Sequence, residues 1–193
     1  MPRIETESLA THRDWRRHQL IEAAAEIALE SGGESITVAA VAQRAGLSRT
    51  SVYEYFASSS DLIADLIIEE LEAFAHTLDS AIADSTSASD AIEKWISASL
   101  AYVADGRHLL AKALNATQLP QERSAAIGAA HRKLLAPLTV NLNQLGVKDI
   151  HQALTLIQAA TDVATKRIES GSDAESEISS TSRFCIAGIH ALS

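Results

Sequence analysis

The sequence predicts an all-α protein of nine helices, and three observations support this fold class. Apolar residues recur at three- and four-residue steps along most of the 193 residues. Aromatic residues make up only 4% of the chain, Ala, Ile and Leu are abundant, and there are three prolines. With 47% hydrophobic residues, the chain can bury a core large enough for one or two small domains.

Helix 1 is predicted to run from the capping-box pattern Thr11-x-x-Asp14 to about Ser31, where a Gly-containing bend follows. Helix 2 has an apolar face made of Val38, Val41, Ala42 and Ala45. Gly46 supplies the permissive backbone that a tight turn needs, and Leu47 is expected to plug the junction. Ser48 is suited to cap helix 3.

Helix 3 has an unusually polar outer face. Only Val52 and the following Phe56 are predicted to point inward. The residues predicted to point outward are Arg49, Thr50, Ser51, Tyr53, Glu54 and Tyr55. Such a face suits a groove of DNA, so residues 37–56 are predicted to form a helix-turn-helix. The alternative is an ordinary helical hairpin. Two of the three tyrosines lie here, however, which favours contacts to sugar and phosphate.

The next two helix starts are predicted from capping patterns. Ser58-x-x-Asp61 opens a long helix 4, whose apolar stripe is Ile63, Ile67, Leu71, Phe74, Leu78 and Ile82. Asp90-x-x-Glu93 is predicted to open helix 5, and Asp105-Gly106 to end it. A shorter helix 6 is predicted over about residues 108–117.

The last three helices are marked by proline, glycine and serine. Pro120 is predicted to open helix 7, Pro137 to kink it and Gly146 to stop it. Helix 8 is predicted over about residues 148–169. Ser172-x-x-Glu175 is predicted to open helix 9.

Residues 16–66 resemble the tetracycline-repressor (TetR) family of transcriptional regulators. The resemblance rests on the Leu20–Ala28 helix, the glycine bend, the Gly-Leu-Ser-Arg turn, Tyr53-x-Tyr55-Phe56 and the start of helix 4. It implies that Thr37 caps helix 2, that residues 1–57 form a helix-turn-helix DNA-binding domain, and that residues 58–193 form a helical effector-binding and dimerisation domain. Ser59 stands where the family usually has a phosphate-contacting lysine. Ala39 is too small to read a base from helix 2, so base reading is expected to fall on helix 3.

The chain is acidic, with a formal net charge of −9, and residues 1–56 carry six basic and eight acidic side chains. Affinity for DNA of any sequence depends on neutralised phosphates, so we expect that affinity to be modest. Arg49 is the first candidate for base reading, because a guanidinium can pair bidentately with guanine. Thr50 and Ser51 are candidates for a base edge or thymine methyl. The candidates for phosphate contacts are Thr37, Arg44, Ser48, Tyr53 and Tyr55. Glu54 is left open between accepting from cytosine and repelling the backbone.

The resemblance also implies a small-molecule effector bound among helices 4 to 8 and a dimer formed by the last two helices. The effector candidates are Trp95, Ser99, Tyr102, His108, Asn115 and His131, with an ordinary core role as the alternative. The mostly aliphatic surroundings indicate an apolar effector. The dimer candidates are Ile157, Thr161, Ala164, Cys185, Gly188 and Leu192, and the alternative is that they pack within one subunit. The predicted function is a dimeric, ligand-responsive regulator, most simply a repressor released from a palindromic operator, with activation left open.

Other function classes receive less support from the sequence. There is no nucleophile elbow, phosphate-binding glycine loop, Cys-x-x-Cys or His-x-x-x-His pair, so we expect neither an enzyme nor a metal or cofactor site. A helical small-molecule-binding dimer without DNA binding is the alternative. A single cysteine and the absence of a signal region or membrane-length apolar run predict a cytoplasmic protein.

Overall fold

The computed structural model describes residues 3–114 and 123–192, and the side chains from residue 12 onward. These residues form nine α-helices and no β-strand, which confirms the predicted all-α fold. The helices are α1 (Arg3–Ser31), α2 (Val38–Arg44), α3 (Arg49–Tyr53), α4 (Ser59–Ile82), α5 (Ala88–Ala104), α6 (Leu109–Leu114), α7 (Ser124–Gln144), α8 (Ile150–Glu169) and α9 (Ala174–Leu192). A 3-10 turn, Gly33–Ser35, separates α1 from α2.

Three predicted helix starts were wrong. Helix α1 begins before Thr11, because no glycine or proline between Arg3 and Thr11 interrupts it. Helix α5 is capped by Ser87, whose Oγ accepts from the amide of Asp90 at 3.1 Å, so Asp90 is the third residue of the helix and not its cap. Helix α9 is capped by Asp173, one residue after the predicted Ser172, through the amide of Ser176 at 2.8 Å.

Other predicted boundaries are confirmed. Ser58 Oγ accepts from the amide of Asp61 at 3.1 Å, and Asp61 accepts from the amide of Ala57, so both side chains satisfy backbone donors at the predicted start of α4. Gly146, with φ +79°, follows the end of α7, and Pro137 lies inside that helix. Pro120 and the predicted end of helix 6 lie outside the described residues.

The chain divides into two compact units. The first consists of Met1–Glu70 with Leu109–Gly128, and the second of Leu71–His108 with Ala129–Ser193. The first packing unit is therefore larger than the predicted DNA-binding domain of residues 1–57, because the start of α4 and all of α6 contribute to its core. The functional division at residue 57 stays a prediction.

The first unit has an aliphatic core that joins α1 to the short helices. Leu20 and Ala24 of α1 are fully buried, as are Val41 of α2 and Val52 of α3. Leu110 and Leu114 of α6 belong to the same cluster. The interior positions of α1 recur at three- and four-residue steps, so one stripe of this helix holds α2, α3 and α6 together.

Asp65 of α4 is the centre of an ion-pair network in the first unit. Arg17 Nη2 lies 2.5 Å from one Asp65 oxygen, and Arg123 Nη2 contacts the other. Arg17 also pairs with Glu69 at 2.9 Å, and Arg123 pairs with Asp61 at 3.1 Å. The Asp65 side chain is only 15% exposed, so two guanidinium groups depend on one largely buried carboxylate.

The second unit is built around α5, which packs against α8 and α9. Its fully buried residues include Ile92, Ile96, Leu138 and Leu142. Cys185 is a free, buried thiol in this core, and burial raises its pKa. A thiol held in the protonated form is a poor nucleophile, so Cys185 acts here as a small packed residue.

Among the described residues, no helix has both the length and the apolarity needed to cross a membrane.

We predict that Asp65→Ala lowers the free energy of unfolding by about 2 kcal/mol, because it leaves two guanidinium groups of the first unit without their shared partner. Urea denaturation followed by circular dichroism measures this. The control is Glu72→Ala, an exposed carboxylate on the same helix, for which a change within about 0.5 kcal/mol is expected. Equal losses in the two variants would contradict a structural role for Asp65.

Candidate DNA-binding surface and internal cavity

The turn between α2 and α3 is set by Gly46. This residue has φ +67°, a left-handed conformation that side chains disfavour. Its amide donates to the carbonyl of Gln43, and the amide of Leu47 donates to the carbonyl of Ala42 at 2.8 Å. These two hydrogen bonds form a Schellman motif, which ends α2 and turns the chain toward α3. The predicted turn is confirmed.

Both short helices have the predicted side-chain caps. Thr37 Oγ1 accepts from the amide of Ala40 at 3.1 Å, and Ser48 Oγ accepts from the amide of Ser51 at 3.1 Å. The Ser48 and Ser51 hydroxyl groups also lie 2.9 Å apart and share a hydrogen bond. The two serines therefore fix the first turn of α3, and part of their hydrogen-bonding capacity is already used.

The outer face of α3 carries three exposed side chains, Arg49, Thr50 and Tyr53, with Tyr53 58% exposed. The inner face is held by Val52, which is fully buried, and the following Phe56 is 1% exposed. Among the described residues, no hydrogen bond or ion pair occupies the Arg49 guanidinium. Three hydrogen-bond donors on side chains of different length are therefore available on one short helix that is anchored by its inner face.

Tyr55 was predicted to point outward, and this was wrong in part. Its side chain is half-buried and packs against the core of the first unit. The physical reason is that α3 ends at Tyr53, so the next residues leave the helical register on which the prediction was based. A contact between Tyr55 and DNA would have to be made through the exposed part of its ring.

Arg44 is held by two carboxylates of α1. Its Nη1 lies 3.0 Å from Glu26, and its Nη2 lies 2.5 Å from Glu30. These hydrogen bonds raise the pKa of Arg44, and the same contact with Arg44 lowers the pKa of Glu30. The ion pairs tie α2 to α1, and they compete with the predicted contact of Arg44 with phosphate.

An exposed basic and aromatic cluster lies on α1. Trp15 is 52% exposed, its ring lies 5.9 Å from that of His12, and the Arg16 guanidinium lies 5.9 Å from it. The sequence signal for this cluster is a tryptophan beside three arginines. Arg17 does not add to it, because Asp65 and Glu69 neutralise its charge.

The second unit contains a cavity of about 210 Å³ lined by residues of four helices. The lining residues are Phe74 of α4; Trp95, Ser99, Leu100 and Val103 of α5; His131, Leu134, Leu135 and Leu138 of α7; and Leu154, Ile157, Gln158, Thr161, Asp162 and Thr165 of α8. Most of this lining is apolar. The polar groups are concentrated on α8.

Three of the six effector candidates line this cavity, namely Trp95, Ser99 and His131. Tyr102 instead stacks on Phe74 with ring centroids 4.5 Å apart, and His108 bonds to Glu169 at 2.8 Å. Asn115 lies outside the described residues. Sequence reasoning missed the α8 wall, although its polar residues at three- and four-residue steps were a signal for it: Gln158, Thr161, Asp162 and Thr165.

An apolar groove runs along α8 and α9 and has a volume of about 400 Å³. Its lining includes the strongly exposed Phe184 (72%) and Leu156, and Val163 of α8 is a further exposed apolar residue. Of the dimer candidates, Gly188 is exposed and Leu192 half-buried along this groove. Three others, Ile157, Ala164 and Cys185, are buried in the core of the second unit, and two of them, Ile157 and Cys185, also line the groove. Thr161 lines the cavity.

Within the described part of the chain, no group of three or more His, Cys, Asp or Glu side chains is arranged to hold a metal ion.

Comparison with known proteins identifies the N-terminal segment. Residues 20–66 match the family described as bacterial regulatory proteins, tetR family, which confirms the resemblance found in the sequence. No curated protein matches the chain.

Solved structures of the same fold cover nearly the whole chain. The regulator FadR from Bacillus subtilis in complex with stearoyl-CoA is 24% identical, with a TM-score of 0.73, and the match covers 90% of this chain and 99% of that one. PfmR, a TetR-family regulator from Thermus thermophilus, is 19% identical, with a TM-score of 0.68 and coverages of 87% and 97%. A superantigen, PfiT, is 16% identical with a TM-score of 0.76 and coverages of 88% and 95%. At these identities the likeness shows the fold, and one fold hosts different functions.

The ion pair between Glu30 and Arg44 predicts a pH dependence of stability. Because the pKa of Glu30 is lowered in the folded state, its contribution is present above the ordinary carboxyl pKa of 4.5 and is lost as the pH falls through the lowered value. Glu30→Gln should therefore lower the urea midpoint at pH 7 and have a smaller effect at about pH 3. Glu34→Gln is the exposed control. A Glu30→Gln effect that is equal at both pH values would contradict an ionic contribution.

Proposed function

We propose that this protein is a homodimeric, ligand-responsive transcriptional regulator that binds a palindromic DNA operator. The observation that carries the proposal is the outer face of α3, where Arg49, Thr50 and Tyr53 are exposed on a helix anchored by buried Val52 and Phe56. This helix follows a capped α2 and a glycine turn in a segment that matches the tetR family. Recognition helices of this kind enter the major groove and read bases with their first residues.

In this proposal the exposed residues have different roles. Arg49 reads guanine, and Thr50 and Ser51 contact a base edge or a thymine methyl. Tyr53, Thr37 and Ser48 contact phosphates and set the register of the protein on the duplex, with a smaller share from Tyr55. Arg44 belongs to the same set only if it leaves Glu26 and Glu30.

Symmetric dimerisation through the α8–α9 groove is the second part of the proposal. One short helix contacts few base pairs, whereas a dimer places two of them in successive major grooves about 34–36 Å apart. Exposed Phe184, Leu156 and Val163 form an apolar surface of the kind that a second copy covers. Leu192 and Gly188 lie on the same groove, and the small side chain of Gly188 permits close helix approach.

The third part of the proposal concerns release from DNA by a small molecule bound in the 210 Å³ cavity. Helices α4 and α7 each run through both compact units, so a change in either helix at the cavity is transmitted by continuous helical backbone. The ligand favours release only if it binds the DNA-incompetent conformation more tightly. Nine of the fifteen residues that line this cavity are apolar, which supports an apolar effector.

A ligand-binding dimer without DNA binding is the second candidate function. The net charge of −9, the ion-paired Arg44 and the serine at position 59 favour it. An electrophoretic mobility shift with the DNA upstream of the protein's own gene separates the two functions. A discrete complex at nanomolar protein concentration, resistant to unlabelled competitor DNA, supports the regulator, and equal binding to all DNA refutes it.

We predict that Arg49→Ala weakens binding to the operator by about 1–3 kcal/mol per half-site while binding to unrelated DNA changes little, because the lost contact is to a base. Fluorescence anisotropy with both DNAs measures the two losses. Arg132→Ala, an exposed arginine of α7, is the control for loss of one positive charge. Equal losses on both DNAs would assign Arg49 to backbone contacts.

We predict that Phe184→Asp converts the dimer to a monomer at micromolar concentration, because a buried, unpaired carboxylate would oppose an apolar interface. Sedimentation velocity measures the change. The matched control is Val140→Asp, an exposed apolar residue on α7 outside the groove, which should stay dimeric. A monomeric wild-type protein, or a dimeric Phe184→Asp variant, would contradict the proposed interface.

A further inference from the structure

The cavity of the second unit has a chemical character that restricts the molecule it can hold. Nine of its fifteen lining residues are apolar. They include the rings of Phe74 and Trp95, which come from α4 and α5. A mainly apolar body is therefore the first requirement for a ligand, since it replaces water on these walls.

Trp95 provides an unused hydrogen-bond donor. This residue is 7% exposed, and its indole Nε1 is buried without a hydrogen-bond partner among the described residues. Buried N–H groups in folded proteins are nearly always paired. This nitrogen has almost no exposed surface, so an acceptor on a molecule in the cavity would supply the missing partner after a small rotation of the indole ring.

Two hydroxyl groups of the lining can accept a hydrogen bond from a ligand but cannot donate one. Ser99 donates its proton to the carbonyl of Ile96 at 2.8 Å. Thr161 donates to the carbonyl oxygens of its own helix, with Gln158 O at 2.9 Å. Since both protons are used, the two oxygens can only accept from a ligand. A donor group on the ligand is therefore favoured on this side.

The charges of the lining disfavour an anion. None of the fifteen lining residues is Lys or Arg, and the titratable side chains among them are Asp162 and His131, both exposed. A carboxylate or phosphate in the cavity would lose water, meet no fixed positive charge and be repelled by Asp162. A protonated amine or a hydroxyl group avoids these costs.

Several lining residues, among them His131, Gln158 and Asp162, are exposed, so the volume limits the part of the ligand that the cavity buries. An apolar cavity of about 150 Å³ holds benzene, so about 210 Å³ corresponds to roughly eight to ten non-hydrogen atoms. A long acyl chain has roughly twice as many non-hydrogen atoms as this volume holds. The size and the polar groups together describe one class of molecule.

We infer that the cavity binds a small, non-anionic, mainly apolar molecule with an acceptor for Trp95 Nε1 and a hydroxyl or protonated amine for the α8 wall. This inference rests on the proposed function in one respect, namely that the ligand of this cavity is the effector. The binding itself is a property of the second unit and is measured without DNA.

A titration with four probes of nearly equal size tests the inference. The probes are 4-(2-aminoethyl)phenol, 4-(2-hydroxyethyl)phenol, 4-hydroxyphenylacetate and 2-phenylethylamine. The chain contains two tryptophans, so the amide NMR spectrum of the full-length protein has two indole signals. Trp15→Phe assigns them, and exposed Trp15 serves as the internal control for Trp95.

We expect the amine and the alcohol that carry the phenol oxygen to shift the Trp95 signal and to bind at least tenfold more tightly than 4-hydroxyphenylacetate. Removing the phenol oxygen, as in 2-phenylethylamine, should weaken binding about tenfold, which corresponds to loss of one hydrogen bond to a buried donor. In Trp95→Phe this difference between the two amines should disappear. If that variant does not fold, the comparison of the four probes on the wild-type protein still tests whether the phenol oxygen strengthens binding and whether a negative charge weakens it.

The role of Asp162 is tested with Asp162→Asn. This variant should weaken binding of the amine about threefold to tenfold and leave binding of the alcohol unchanged. Asp79 is an exposed carboxylate of α4 outside the cavity. The control Asp79→Asn removes the same charge and should change the affinity for neither probe. The inference is overturned if the anion binds as tightly as the alcohol, or if no probe shifts Trp95 at about 5 mM.

These outcomes are separate from those of the proposed function. A mobility shift measures only DNA binding, and the indole titration measures only binding of a probe in the cavity. Adding the tightest probe to the protein–DNA complex links the two, and release of the DNA is the expected result.

Discussion

The burial of Val52 and Phe56 is the interaction on which the proposed DNA-binding surface depends. Helix α3 has five residues, too few to be stable alone in water. Each buried side chain contributes about 1.5–3 kcal/mol, and both belong to the core formed by α1 and α4. Because these two side chains hold the inner face, the orientation of Arg49 and Tyr53 is decided by packing rather than by helix propensity.

The distribution of ion pairs explains how an acidic protein can keep a usable basic group. Arg17 and Arg123 are committed to Asp65, and Arg44 to Glu26 and Glu30. These arginines stabilise contacts between helices, and their charges are largely neutralised. Arg49 has no such partner among the described residues, so its charge remains available at the surface. Specific contacts, rather than a general positive potential, would then supply most of the affinity for DNA.

Helix α8 serves two surfaces at once. Ile157 and Thr161 line the internal cavity, while Leu156 and Val163 are exposed on the opposite side. Helix α8 is amphipathic, and polar side chains such as Gln158, Asp162 and Lys166 are also exposed on it. Ile157 lines both the cavity and the groove of the proposed dimer interface, which offers a short physical path between ligand and subunit contact.

The sequence alone determined the helical fold, the turn at Gly46, the caps at Thr37 and Ser48 and the inner positions of α3, since each follows from local backbone chemistry or from a periodic apolar stripe. Tertiary structure decided the rest. The half-burial of Tyr55 depends on where α3 ends, and the pairing of Arg44 depends on carboxylates far away in the chain. Likewise, periodicity showed that α8 and α9 have apolar faces, yet only packing against α5 decides that Ile157 and Cys185 turn inward while Phe184 stays exposed. Side-chain spacing gives the faces of a helix, and only its neighbours determine which face is covered.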